Sequence, residues 1–258
     1  MAETIIREQE GRVAIITINR PDKMNALNQQ VSKEVIAALE EIAADDSIGV
    51  VVITGAGEKA FIAGADIGEF EGRTPFDQRH AMRFPRIYDV MASFPKPVIA
   101  MINGFCLGGG CEVAASCDIR VASEKARLGQ PEINLGLIPG GGGTQRLPRL
   151  IGQGHAMRLI LTGDMIGAPE AKEIGLVDLV VPAEELREKT LELAAKIASK
   201  SPLTVKVAKQ AIRASQRLAI EEGILYERDL FCLCFSTADK EEGVKAFLEK
   251  RPAEWQGR

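Results

Sequence analysis

Residues 13–19 read Val-Ala-Ile-Ile-Thr-Ile-Asn, a β-branched and partly alternating run that predicts a strand. The segment Asn19-Arg20-Pro21-Asp22 then breaks it into a turn. Between Leu27 and Ala44 the apolar residues Val31, Val35, Leu39 and Ile42 fall close to helical spacing. Val50–Thr54, bounded by Gly49 and Gly55, is a short continuous apolar run, the pattern of a strand buried on both faces. Val98–Ile102, launched by Pro95-Lys96-Pro97, is a second such run, and Asp118–Ala122 reads as a third. None approaches the ~20 apolar residues that a membrane-spanning helix requires. The first two-thirds of the chain therefore predicts an α/β domain with short, buried strands.

After about Gly163 the pattern changes. Glu184–Lys200, Leu203–Glu222 and Asp239–Lys250 are rich in Ala, Leu, Glu and Lys at helical periodicity. The Ser201-Pro202 step marks a helix boundary, because proline disfavours helical geometry in the residue before it. The expected organisation is an α/β core over residues 1–190 that holds the site, followed by a helical subdomain over residues 191–258.

Composition narrows the chemistry. The 258 residues carry 32 Lys plus Arg against 36 Asp plus Glu, a net charge of -4, so no basic field is available for a nucleic acid. Cys106, Cys111, Cys117, Cys232 and Cys234 form an odd set without a C-x-x-C pair, which fits neither a disulfide framework nor a zinc ribbon. Residues 1–11 lack the apolar stretch of a signal peptide, and a cytoplasmic protein is expected. With two histidines, a His-rich metal site cannot be built, and a Ser-His-Asp triad has only His80 or His155 to use. Carboxylates and backbone amides are the best-stocked resources.

Several glycine clusters compete for a role. Gly55-x-Gly57-x-x-Ala60 superficially matches a dinucleotide fingerprint, but Phe61-Ile62-Ala63-Gly64 does not continue it as a helix. No glycine is followed by Lys and then Ser or Thr, so a P-loop is excluded. Gly108-Gly109-Gly110 precedes Cys111–Cys117 and can open a helix directly after the strand at Val98. An amide there suits a developing oxyanion; a tight strand-to-helix turn needed only for packing explains the same glycines. Glu112 lies in the first turn of that helix, and Glu132 sits in Gly129-Gln130-Pro131-Glu132-Ile133. Burial in such apolar, glycine-rich settings raises a carboxyl toward the range useful for proton transfer. Two such carboxylates beside an oxyanion hole would make an acid–base site without a metal.

Three longer segments then carry a resemblance. Phe61–Ile67, Asn103–Glu112, and Gly129–Ile133 through Pro139–Leu147 closely resemble the enoyl-CoA hydratase (crotonase) family, with Asn19-Arg20-Pro21 and Phe247–Arg251 extending the match over nearly the whole chain. The resemblance implies a crotonase-like spiral core of repeated β-β-α units with appended C-terminal helices. It implies an oxyanion hole from the backbone N–H groups of Ala65 and Gly109, with Glu112 activating water and Glu132 exchanging a proton at the α-carbon. It puts the Ala63 carbonyl on the adenine of coenzyme A, and places Met24, Gly64, Asp66, Ile67 and Gly140 along the CoA and substrate site. Phe247 and Lys250 match positions that approach a neighbouring subunit's CoA, which implies a homo-oligomer, a trimer or a dimer of trimers. Ile62 departs from the pattern, standing where a small residue is frequent.

What the resemblance implies chemically is reversible hydration of a trans-2-enoyl-CoA to the 3-hydroxyacyl-CoA. The implied partner is an acyl-CoA thioester, with no metal and no cofactor beyond the coenzyme A that the substrate carries. An enoyl-CoA isomerase could use Glu132 alone, and a non-catalytic acyl-CoA-binding protein would need only the amides. Acyl preference depends on pocket walls, for which Phe70, Met82, Phe84 and Met91 are candidates.

Overall fold

The computed structural model describes residues 4–83 and 85–258, so Phe84 lies outside the described residues. The chain begins with β1 (Ile5–Glu10) and β2 (Val13–Ile18), an antiparallel pair, followed by α1 (Gln29–Ala44). Next come β3 (Val50–Gly55), β4 (Ala60–Ile62), α2 (Pro75–Ala81) and α3 (Ile87–Ser93). They are followed by β5 (Val98–Ile102), β6 (Phe105–Leu107), α4 (Gly109–Ser116), β7 (Ile119–Ser123) and β8 (Arg127–Gly129). The core closes with α5 (Gly143–Thr162), β9 (Met165–Gly167), α6 (Ala168–Glu173) and β10 (Leu179–Val181).

The strands form two sheets, ordered β1-β2-β3-β5-β7-β10 and β4-β6-β8-β9. Beyond the β1–β2 pair, every ladder of the larger sheet is parallel. The smaller sheet is parallel except where β9 closes it against β8. Thus β3 and β4, β5 and β6, and β7 and β8 each place one strand in either sheet before a helical segment returns the chain. This is the expected spiral of β-β-α units.

Strand periodicity sets the layers. On β3, Val51 and Ile53 face the main core with Val31, Val35, Leu39 and Ile42 of α1. Val50 and Val52 point to the opposite face. That face is covered by α7 (Leu186–Ala198) through Leu186, Ala194 and Ala198. Both faces are dry, which is why the strand reads as a continuous apolar run. Residue 190, where the expected division falls, lies within α7. α1 starts behind Asn28, whose Oδ1 accepts the Val31 amide at 2.9 Å.

The rest of the C-terminal region is α8 (Pro202–Ala214), α9 (Ile220–Cys234) and α10 (Ala238–Glu249). The single helix expected over Leu203–Glu222 is instead two. The Arg217 amide folds back on Ala214 and the Ser215 hydroxyl bonds the Ile212 carbonyl, a side-chain bond that competes with helix continuation. Ala219 is then extended, and α9 starts afresh. α8 is tied to the core through Asp118, which pairs with Lys209 at 2.6 Å and Arg213 at 2.7 Å. Among the described residues, no helix is long and apolar enough to cross a membrane.

Candidate active site

Residues 63–66 leave β4 extended and pair with the loop before α1. The Ala63 amide donates to the Met24 carbonyl at 3.1 Å, Leu27 donates to Gly64 at 2.8 Å, and Asp66 donates to Leu27 at 2.7 Å. In this parallel bridge the bonds come from the neighbours of Ala65, so its own N–H points away from Leu27. Opposite it stands the start of α4. Gly108 adopts φ 50°, ψ −122°, a region open to glycine, and turns the chain from β6 into the helix. The Gly109 amide is one of the first-turn donors that a helix leaves without an internal acceptor. A Cβ built on Gly109 would lie 3.6 Å from the Ala65 nitrogen, so the two backbones line one small space. Gly110 serves packing: its Cβ would fall 2.0 Å from the Ile62 carbonyl oxygen, so only glycine lets α4 lie this close to β4. The packing explanation of the triple glycine thus holds for Gly110, while the Gly109 amide stands beside Ala65. No helix opens after Gly57, which sits in the bend between β3 and β4.

Glu112 is 2% exposed, one turn into α4. Its Oε1 accepts the amides of Gly141 and Gly143 at 2.6 and 2.7 Å. These belong to the glycine turn that opens α5, so the carboxylate caps a helix N-terminus from outside. Burial nevertheless outweighs both amide bonds and raises the carboxyl above its ordinary value. With Oε1 held, Oε2 is the oxygen left for chemistry.

Glu132 lies on a short 3₁₀ turn, residues 131–135, and approaches from the other side of α4's start. Its Oε1 is 2.9 Å from the position a Cβ on Gly108 would take. Burial, reinforced by the charge of Glu112, pushes it up to about 7. Gln130, fully buried, brings its side-chain amide nitrogen within 3.0 Å of both Glu132 oxygens in the orientation that satisfies its hydrogen bonds. Gly109 thus faces Ala65, Gly108 faces Glu132, and the charges of Glu112 and Glu132 act on each other; two amides and two buried carboxyls so arranged are the parts of an oxyanion-stabilising, proton-moving site.

Four supporting residues escape a reading of the sequence. Gln130 is one. Asn25, buried with φ 58°, accepts the Arg20 amide on Oδ1 and donates to the Ala56 and Ala60 carbonyls, fixing the start of β4. Arg20 reaches Asp66 at 2.9 Å and steadies the segment next to Ala65. Tyr88, on α3, places its hydroxyl oxygen 2.9 Å from the Cβ position of Gly109, and burial together with Glu112 raises its phenol further from ionisation. The Asn-Arg-Pro motif is the one signal that could have pointed to Arg20; for the others, contact depends on tertiary placement.

The expected CoA contacts divide. Ala63, Gly64, Asp66 and Ile67 flank Ala65 along the segment that leaves β4, and Met24 bonds to Ala63 from the facing loop. Met24 also lines a shallow cleft of about 250 Å³ with Pro21, Asn25 and Lys59. Gly140 precedes the glycine turn, and its carbonyl accepts Arg86 Nη1 at 2.6 Å. Phe247 and Lys250 are on α10 or just beyond it, and no hydrogen bond or ion pair among the described residues links them to this space. Of the wall candidates, Met82 lies 3.5 Å from the Cβ position of Gly140, whereas Met91 is buried in the main core.

Comparison with known proteins identifies the family. A family model described as enoyl-CoA hydratase/isomerase matches residues 8–258. The chain is 48% identical over 251 residues to a short-chain-enoyl-CoA hydratase of Clostridium acetobutylicum, covering 97% of this chain and 96% of that one. It is 44% identical over 258 residues to a 2,3-dehydroadipyl-CoA hydratase of Escherichia coli, with all of both chains covered. Among solved structures, an enoyl-CoA hydratase from Bacillus anthracis superposes with a TM-score of 0.94 at 44% identity, over 99% of this chain and 100% of that one. With its spiral core, its glycine-started helix and this likeness over nearly its full length, the chain belongs to the enoyl-CoA hydratase/isomerase family.

Proposed function

We infer that this protein adds water reversibly across the 2,3 double bond of a trans-2-enoyl-CoA to give the 3-hydroxyacyl-CoA. One observation carries the reading: Glu112, with one oxygen fixed by two amides, shares a site with Glu132, whose carboxyl is pushed up to about 7. An isomerase moving a proton between carbons needs a single carboxylate, and a binding protein needs none. A fixed second carboxylate is what water activation requires.

In this mechanism the thioester oxygen sits between the Ala65 and Gly109 amides, which take up the negative charge as C3 is attacked. One such donor is worth roughly 3–4 kcal/mol. Glu112 Oε2 takes a proton from water as its oxygen bonds to C3, and protonated Glu132 gives its proton to C2. The pair thus holds one proton before and after the step, relocated from Glu132 to Glu112. Water supplies both the hydroxyl and, over a full cycle, the hydrogen. No hydride moves, so the reaction requires no redox carrier.

The reading extends to a homo-oligomer, a trimer or a dimer of trimers, assembled through the C-terminal helices. Phe231, Phe235, Phe247 and Leu248 are 64, 55, 82 and 74% exposed, more apolar surface than a solvated tail needs. Lys250 then supplies a cation to the CoA phosphates of a neighbouring subunit. A cytoplasmic location accords with free thiols at Cys106, Cys111 and Cys117.

The deciding experiment follows the enoyl-thioester absorbance band with crotonyl-CoA. Loss of the band with formation of 3-hydroxybutyryl-CoA is expected. Binding without turnover, or double-bond migration without hydration, would overturn the hydratase reading.

A further inference from the structure

Tyr88 stands between two glycines of the candidate site. On α3 its neighbours Ile87 and Met91 are buried in the core, and Tyr88, packed against the same core, also reaches the glycines of the candidate site. A Cβ on Gly109 would meet the Tyr88 hydroxyl oxygen at 2.9 Å. A Cβ on Gly141 would meet its Cζ at 2.7 Å and Glu112 Oε2 at 2.6 Å. The ring therefore spans from the oxyanion-hole glycine to the glycine that holds Glu112, alongside that residue's working oxygen.

It is also held in place. The Arg86 guanidinium lies 5.4 Å from the ring centroid, and the same side chain bonds the Gly140 carbonyl at 2.6 Å. Arg146 bonds the Gly141 carbonyl at 2.6 Å, reaches the Tyr88 carbonyl at 3.4 Å and pairs with Asp89 at 3.6 Å. Two arginines thus lock the start of α3 to the glycine turn, and one of them, Arg86, also lies over the ring.

A thioester whose oxygen rests on Ala65 and Gly109 presents C2 and C3 to the two glutamates. Carbons beyond C3 of such a thioester would run past Glu112 toward the ring, which lies beside Glu112 Oε2 at Gly141. We propose that Tyr88 is the residue that closes the acyl end of the site and restricts the enzyme to short-chain 2-enoyl thioesters, with few carbons beyond C3. This rests on the hydratase reading and adds the substrate class. The work of exclusion belongs to the ring, and the hydroxyl contributes little to it.

The test compares kcat/KM for crotonyl-CoA and trans-2-octenoyl-CoA. Each methylene a pocket can bury is worth about a fourfold gain, so an open site would favour the longer ester. The wild-type protein should prefer crotonyl-CoA. Tyr88→Ala should raise the octenoyl-to-crotonyl ratio at least about tenfold, since as few as two newly buried methylenes reach that figure. Tyr88→Phe, which keeps the ring, should retain the wild-type ratio. Should Tyr88→Ala fail to fold, Tyr88→Leu keeps an apolar side chain on α3 and shortens its reach; a rise of about fourfold is expected, one methylene's worth. An unchanged ratio in a folded Ala or Leu variant overturns the proposal, as does a wild-type protein that turns over octenoyl-CoA as readily as crotonyl-CoA. A ratio that shifts in Tyr88→Phe as much as in Tyr88→Ala also overturns it, by moving the effect to the hydroxyl. A wild-type protein that hydrates neither ester overturns the hydratase reading itself, and the proposal with it.

Discussion

Glu112 Oε1 accepts the Gly143 amide at 2.7 Å, which fastens a carboxylate on α4 to the first residue of α5. The bond spans 31 positions of sequence and, in the proposed mechanism, leaves Oε2 for water. A glutamine at position 112 still offers a carbonyl oxygen to the Gly141 and Gly143 amides, so Glu112→Gln should fold normally. Its kcat should fall by about 10²- to 10⁴-fold, the usual worth of a general acid or base, with KM little changed. Glu132→Gln should behave alike. Steady-state kinetics with crotonyl-CoA checks both, and a near-wild-type kcat in either variant would remove that residue from the chemistry.

In the proposed mechanism the glutamate pair holds one proton, and a pH dependence follows from that. Hydration starts with the proton on Glu132 and dehydration starts with it on Glu112, so both directions need the same total protonation. Deprotonation of the pair should therefore lower kcat/KM in both directions as pH rises through about 7. A descending limb seen in one direction only would contradict a shared proton. Stability should follow the same group. Burial raises the Glu132 carboxyl from 4.5 to about 7, so between these values the folded state binds more protons than the unfolded chain. Its contribution is fully present below about 4.5 and is lost as pH rises through about 7. Denaturant midpoints at pH 5 and pH 8 should show the wild type losing stability relative to Glu132→Gln over that interval.

Gly110 has no room for a side chain. Its Cβ would fall 2.0 Å from the Ile62 carbonyl oxygen, a backbone atom that cannot rotate away. Gly110→Ala should therefore cost at least the upper part of the 1–3 kcal/mol typical of overpacking, measured by urea unfolding. Because relief requires α4 to lift from β4, the Gly109 amide shifts with it, and activity should fall even where the variant is folded. A stable, fully active Gly110→Ala would show that the helix has slack the contact does not suggest.

Which parts of this molecule are legible in its sequence depends on where the constraint lies. β3 and β5 are plain because both faces are buried, so every position along them is apolar or small. β1 is obscured because Ile5 alone among its residues is buried, leaving a charged run that pairs through its backbone. The break between α8 and α9 carries neither glycine nor proline, so only the turn geometry reveals it. At the site, Gly108, Gly109 and Gly110 advertise themselves because backbone geometry and close approach demand glycine. Tyr88 does not, since an aromatic residue between Ile87 and Met91 on a short helix reads as core until the fold sets it against Gly109 and Gly141.

Asp118 links the C-terminal helices to the core. It accepts the Val98 amide at 2.8 Å while pairing with Lys209 and Arg213 of α8. The Lys209 side chain is 9% exposed, and burial lowers its ammonium below the ordinary lysine range despite the facing carboxylate. Removing the carboxylate strands a cation in a dry setting, a change that costs roughly 3–5 kcal/mol for a buried pair. Asp118→Ala should lose stability of that order in chemical denaturation, and Lys209→Met in the same background should recover part of it. Failure of the second change to rescue the first would place the loss with the Arg213 pair or the Val98 contact instead.

The proposed assembly would make its own demand on Lys250. The residue ends α10 with φ 55°, a left-handed conformation that a non-glycine side chain adopts at some cost. Glycine is the ordinary choice at such a helix end. A side chain kept there despite that cost is consistent with a task for its ammonium, and CoA phosphates of an adjoining subunit provide one. Lys250→Gly should then relieve the backbone, leaving the protein as stable as wild type or slightly more so, while raising KM for crotonyl-CoA much more than it lowers kcat. The KM difference should shrink as salt approaches 1 M, where screening acts over about 3 Å. Light scattering decides the assembly on which this depends: a mass three or six times the 27.9 kDa chain is expected at micromolar concentration. A monomer that hydrates crotonyl-CoA with undiminished affinity would leave Lys250 with no phosphate to meet.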